Sequence, residues 1–215
     1  MKRMKSYTRI LAPLAVLGSL CAATTPAPAQ VYSYYPPSGG ERPVQWYVDG
    51  GYSITTGQTS TYFQDGWTIG GGVVMKPDPH SPFALKVDFD YAYYSGTNAF
   101  LNSSGLPGSS GYMDTFSASI DGMVRAPLGS YARLYAMAGV GLAWRGLYVG
   151  QGGYCYCGYG YYATDYSTNF AWNAGLGMDF LLPYGQSWFI EARYERIETS
   201  GAPTEVIPIR FGWRF

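Results

Sequence analysis

The chain ends on Ile207-Pro-Ile-Arg-Phe-Gly-Trp-Arg-Phe215, an alternation that runs to its final residue. Ile207, Ile209, Phe211, Trp213 and Phe215 share one parity; Pro208, Arg210, Gly212 and Arg214 share the other. A strand sends successive side chains to opposite faces, so one face is wholly apolar and the other carries cations. Chain ends usually fray into polar residues. An apolar face kept to the last residue predicts a strand with lipid on one side and a polar lumen on the other. Pro208 cannot donate to the ladder, and a local bulge is expected there.

The front of the chain supplies an address. Lys2, Arg3, Lys5 and Arg9 precede an apolar run from Ile10 to Leu20, and small residues and prolines then lead to Ala27-Pro28-Ala29. This is the pattern of a secretory signal, residues 1–29, cut before Gln30. A membrane-spanning helix needs ~20 apolar residues; this run has 11 and contains Pro13 and Gly18. Cys21 would suggest a lipid anchor, but Leu20 stands where such a site resembles one needing a small residue. Removing the signal leaves 186 residues, enough for one domain, with basic residues reduced from 14 to 10 against 14 acids, a net charge of −4. No basic patch for nucleic acid survives. Residues 30–43, dominated by Pro and Gly, read as a flexible periplasmic linker before a domain at 44–215.

That domain divides into eight stretches of period-two alternation, at about 44–55, 67–76, 83–94, 112–126, 132–147, 168–182, 187–196 and the terminal segment. The fourth sets Phe116, Ala118, Ile120, Gly122 and Val124 against Ser117, Ser119, Asp121 and Arg125. Most of the stretches exceed the ~9–11 residues that a tilted strand needs to cross a bilayer. No charge falls within the spanning part of an apolar face, where a midplane Arg would cost roughly 2–4 kcal/mol. Asp114 and Arg196 have the apolar parity but lie toward strand ends. The six tryptophans and many tyrosines cluster at segment ends, as interfacial girdles do. Connections after the second, fourth and sixth stretches are short, and those after the first, third and fifth are longer. In a bacterial barrel that places both termini on the periplasmic side.

A soluble sandwich or lipocalin-like barrel would show the same alternation with the apolar face inward. The charges argue against it. The polar faces hold Asp49, Lys86, Asp88, Asp90, Asp121, Arg125, Arg133, Arg145, Asp179, Glu191, Arg193, Glu195, Arg210 and Arg214, half of all 28 charged residues, while the connections are mostly Gly, Ser and Tyr. The expected fold is an all-β, eight-stranded antiparallel up-and-down transmembrane barrel.

Several segments carry a resemblance: YVDGGY (47–52), DGWTIGGG (65–72), AGVG (138–141), FAWNAGLGMD (170–179) and the terminal RFGWRF. Over about 44–215 the chain resembles the eight-stranded outer-membrane barrels of the opacity-protein and OmpA/OmpX-like group. The resemblance implies the bacterial outer membrane, with lipid and lipopolysaccharide as surroundings, and specifies no chemistry or cofactor. The closing aromatics Phe211, Trp213 and Phe215 resemble the signal read by the barrel-assembly machinery, with periplasmic chaperones as transient partners.

An eight-stranded barrel is just wide enough to be filled by side chains. Asp49, Asp88, Asp121, Glu191, Arg193 and Arg210 should fall near mid-depth, and opposed charges there must pair, since an unpaired buried ion costs several kcal/mol. A salt-bridged plug is expected; a gated polar pathway, a narrow passive channel for small solutes, is the alternative. Carboxylate pairs such as Asp88/Asp90 and Glu191/Glu195 arise routinely from same-face spacing. Outer-membrane lipid A deacylases and palmitoyltransferases resemble this architecture and use a histidine with serine and an acid. The single histidine, His80, lies in the turn PDPHSP at the opposite end from the outer leaflet, which argues against a lipid-modifying enzyme. Cys155 and Cys157, within GGYCYCGYGYY, permit a strained loop disulfide after export, free thiols or pairing between molecules. Two sulfurs without a nearby histidine make a poor metal site. The tyrosines around them suit an adaptable surface for a ligand, or a tip resting on lipopolysaccharide.

Overall fold

The computed structural model describes residues 42–78, 81–103, 110–150 and 162–215. Eight strands close into one antiparallel barrel in sequence order. They are β1 (Val44–Thr56), β2 (Gly66–Met75), β3 (Phe83–Ser95), β4 (Ser110–Pro127), β5 (Ala132–Gly150), β6 (Tyr162–Leu181), β7 (Ser187–Ile197) and β8 (Thr204–Arg214). The terminal strand closes the barrel. β8 pairs with β1 from Tyr47↔Arg214 to Thr56↔Glu205, and Phe215 exchanges both backbone hydrogen bonds with Trp46, at 3.2 and 2.9 Å. The last residue is therefore held in the ladder rather than frayed.

Exposure decides which face is which. Ile69, Ile120, Val140, Leu176 and Phe211 are each more than half exposed, while Lys86, Asp88, Asp121, Asp179 and Arg214 are completely buried. A soluble barrel would reverse these positions. The apolar faces form the outer wall and the charged faces line the lumen.

Three strands run further than the alternation suggests. β4, β5 and β6 continue past the apolar band, with pairing carried to Ser110↔Gly150 and Gly150↔Tyr162. Beyond the lipid there is no apolar period to read, but the backbone ladder still gains a hydrogen bond per residue. Asp114 accordingly lies four residues inside β4 rather than at its tip.

The bulge expected at Pro208 does not form. The β7–β8 register is the same on both sides of the interruption, at Ala192↔Ile209 and Glu195↔Val206. On its other side Pro208 keeps its place opposite Ser53. The missing donor thins the ladder toward β7 without adding a residue.

The end carrying Val44 and Phe215 is the terminal end, where β2–β3, β4–β5 and β6–β7 are joined by short turns. Tyr184, at φ 66°, and Gly185, at φ 77°, reverse the last of these. At the distal end two short helices, α1 (Thr59–Tyr62) and α2 (Asn98–Ser103), interrupt the first and third connections, which the sequence leaves as loops. The two connections are tied together: the Gln64 amide donates to Ser95 O at 2.8 Å and the Thr97 amide to Tyr62 O at 2.8 Å. Phe63 and Phe100 meet at 4.7 Å between ring centres.

Inward glycines let so narrow a barrel hold large side chains. Tyr47 lies opposite Gly72, Phe189 opposite Gly212 and Tyr135 opposite Gly177. A Cβ at each of those glycines would collide with the facing ring. The ring occupies the space that the missing side chain leaves. Gly72→Val should therefore lower stability by about 1–3 kcal/mol, read as a lower urea midpoint for the protein in bilayers. Gly122→Val, on the outer wall where a Cβ would have only Ala138 O at 3.9 Å, should leave the midpoint unchanged or raise it.

Candidate functional site: the lumen charge layer

Three layers fill the lumen. At the terminal end Tyr47, Val74, Ala84, Met123, Tyr135, Met137 and Phe189 form a buried apolar cluster. At the distal end Phe63, Ala92, Tyr94, Met113 and Val206 form another, with Phe100 and Leu147 packed on it. Charged side chains lie between them.

The middle layer joins β3 to β7 and β8 across the lumen. Lys86 Nζ donates to both oxygens of Glu191, at 3.0 and 3.1 Å, and lies 3.5 Å from Asp88. Arg193 binds Asp88 and reaches Asp90 at 3.1 Å, Glu191 at 3.4 Å and Asp121 at 3.9 Å. Arg210 binds Asp90 and contacts Asp88 at 3.3 Å. Neutral donors complete the shell: the Tyr47 hydroxyl on Asp88, the Tyr135 hydroxyl on Glu191 at 3.0 Å and the Asn173 amide on Asp121 at 2.8 Å. None of these charged residues is more than 5% exposed. At such burial unpaired ions are costly, and paired, hydrogen-bonded ones can be held.

A second group lies toward the terminal end. Arg214 pairs with Asp179, which Arg133 approaches at 3.7 Å. The Arg214 guanidinium sits over the Phe189 and Tyr135 rings, at 4.5 and 5.0 Å from their centres. Stacking on two aromatic faces suits the planar, weakly hydrated guanidinium better than it would a lysine.

Except for Asp49, the other charged positions of the polar faces stand apart from the middle layer. Arg125 Nε contacts Met123 Sδ at 3.3 Å. Arg145 donates to Thr204 at 3.4 Å, and Glu195 lines a small lumen cavity beside Tyr94. Asp49 is buried in the middle layer, yet neither carboxylate oxygen has a hydrogen-bond partner among the described residues. Its carboxylate oxygens come within 4.8 Å of those of Asp88 and Asp90, the one arrangement among the described residues that could ligate a metal. Two of its three members are already held by Arg193 and Arg210, so a metal would have to displace guanidiniums. Phe211 and Trp213 stack with Trp188 on the outer wall, with ring centres 5.2 and 5.8 Å away. Residues 1–41, His80, Cys155 and Cys157 lie outside the described residues.

Sequence reasoning missed Tyr47, Tyr135 and Asn173 as partners of the charges, and Phe63 and Phe100 as a distal closure. The usable signal for the tyrosines was their inward parity together with an inward glycine on the next strand.

A closed eight-stranded barrel with an apolar outer wall and a charged lumen is the architecture of an outer-membrane protein. Residues 13–215 match the outer membrane protein beta-barrel domain family, and the chain belongs to it. No curated protein matches it in sequence. Among solved structures it is similar to Neisserial surface protein A, at 13% identity and a TM-score of 0.56, over 80% of this chain and 96% of that one. A major outer membrane protein from Thermus thermophilus has a TM-score of 0.56 at 11% identity, over 81% of this chain and 99% of the other. At these identities the likeness is one of fold.

Arg193 should be the most sensitive position in the lumen. Arg193→Met leaves Asp88 and Asp90 with Arg210 as their remaining guanidinium and should cost about 3–5 kcal/mol, measured by urea unfolding in vesicles. Adding Asp88→Asn to the same chain should recover part of that loss, a coupling that a double-mutant cycle would detect.

Proposed function

We propose that this is a non-enzymatic outer-membrane barrel with a plugged lumen, whose role is structural or lies in surface contact through its distal connections. Export would remove residues 1–29, and the aromatic end at Phe211, Trp213 and Phe215 would be read by the barrel-assembly machinery after chaperoned passage through the periplasm. Both termini would stay in the periplasm, with the distal end outside among lipopolysaccharide.

One observation carries the plugged reading. The cavity bordered by Asp90, Tyr94, Glu195 and Arg210 has a volume of about 10 Å³, at the threshold for one water molecule. A continuous file of hydrated ions needs far more room. Reconstituted in planar bilayers, the protein should show no single-channel steps; reproducible steps lost on altering Arg193 or Arg210 would favour the passive channel. That second reading draws on unpaired Asp49, which marks the place where the layer is least satisfied.

Orientation is tested separately. A membrane-impermeant maleimide should label Cys155 and Cys157 on intact cells after mild reduction. Labelling that requires prior reduction would indicate a disulfide, and labelling only after the outer membrane is opened would reverse the proposed orientation. Lipid A from cells with and without the protein should give identical mass spectra; a changed acyl pattern would reinstate an enzyme.

A further inference from the structure

A cavity of about 260 Å³ opens on the outer wall, away from the lumen, and Asp114, Phe116, Trp144, Tyr148 and Tyr166 are among its walls. It lies where the lipid-facing pattern changes. On β4 the apolar outward residues run from Val124 to Phe116, and the next outward positions toward the distal end are Asp114 and Tyr112. Eight residues of tilted strand rise roughly 20 Å, close to the height of an apolar band. On β5 the change falls between Trp144 and Tyr148, and on β6 between Phe170 and Tyr166. The cavity is therefore at the depth of lipid headgroups.

Its walls are mostly aromatic and its one acid is Asp114; Arg145 also borders it, but its guanidinium turns inward and donates to Thr204 Oγ1 at 3.4 Å. Phe116 and Trp144 meet at 5.5 Å between ring centres, Tyr112 stacks on Tyr148 at 4.4 Å, and Tyr148 meets Tyr166 edge-on at 5.7 Å, their hydroxyls 2.9 Å apart. Asp114 faces Gly146 across the β4–β5 ladder, and a Cβ there would strike its carboxylate. The glycine seats the carboxylate against the wall. Among the described residues Asp114 has one hydrogen bond, from the Tyr91 hydroxyl at 3.4 Å, and enters no ion pair. A carboxylate on a lipid-facing wall that enters no ion pair among the described residues, flanked by π faces, is complementary to a positively charged group of modest size. An ammonium group satisfies both features, because the rings attract its charge while the carboxylate accepts its hydrogen bonds.

We propose that this pocket binds the ammonium headgroup of a membrane lipid, as in a phosphoethanolamine lipid, with Asp114 pairing the charge and the Trp144 and Tyr148 rings covering it. The wall position selects a lipid over a soluble amine, because the acyl chains would continue down the apolar face below Phe116. The assignment requires a bilayer around the barrel but not a particular end facing out.

The test is a titration followed by NMR, on the whole protein in an alkyl glucoside detergent that carries no ammonium group. Dihexanoyl phosphatidylethanolamine should shift the Gly146 and Tyr148 amides and the Trp144 indole saturably. Asp114→Asn should weaken that binding about tenfold while leaving the rest of the amide spectrum folded. Trp144→Leu, still apolar toward lipid, should weaken it roughly threefold, and serves if the first variant folds poorly. Equal shifts with dihexanoyl phosphatidylglycerol, equal binding by Asp114→Asn, or equal affinity for free ethylammonium would each overturn the proposal.

Discussion

In hydrocarbon no water is available to a backbone amide, so every strand edge must be paired, and the pairing of β8 with β1 is the contact that removes the last free edges. The rest of the molecule follows from that closure. Closure forces one face of every strand outward to lipid and the other into a lumen bounded by only eight strands. The charged residues of that inner face must then share one narrow volume. The ladder accordingly runs to the last residue: a frayed end at Phe215 would leave Trp46 without its backbone partner.

Confinement sets the character of the lumen. Opposite strands come close enough for Lys86 to bond Glu191 and for Arg193 to reach Asp88 and Asp90 directly, without bridging water. Apolar layers above and below keep solvent from competing, so each pair acts at reduced screening. The glycines opposite Tyr47, Tyr135 and Phe189 provide the volume that lets large side chains turn inward. Those rings in turn carry hydroxyls to Asp88 and Glu191 and π faces to Arg214. Packing and electrostatics are thus solved by the same residues. Among the described residues neither carboxylate oxygen of Asp49 has a hydrogen-bond partner, so the middle layer is not satisfied throughout.

The outer wall follows a different logic, since lipid offers it no hydrogen bonds. Its apolar band is uniform where the bilayer is apolar and becomes aromatic toward the distal end, in the order Trp67, Tyr91, Tyr93, Tyr112, Tyr148 and Tyr166, each ring touching a neighbour. Rings with an apolar body and a polar tip suit the interface. Asp114 departs from that pattern, which gives the pocket around it a chemistry distinct from the girdle.

Strand number, the order of long and short connections and the face on which each charge lies were legible in the sequence, because a period of two is a local property and the bilayer's apolar core excludes charge from one face. Closure was implied by the same rule. The partners were not legible. Lys86 lies directly opposite Asp121 in the ladder, yet its hydrogen bonds run to Glu191 on the far side of the barrel, 105 residues away. Register, tilt and curvature together decide which inward side chains meet, and none of them is written in any single strand. The same holds for the ends of β4 to β6, where pairing outlasts the apolar period, and for Phe63, which enters the distal mouth because two connections are hydrogen-bonded to each other. Alternation and parity suffice for a barrel with lipid outside and charge inside. Which charges pair, what seals them, and where an acid outside any ion pair among the described residues faces the membrane follow only from the folded barrel, because contacts across a closed lumen and along its wall depend on distances between strands remote in the chain.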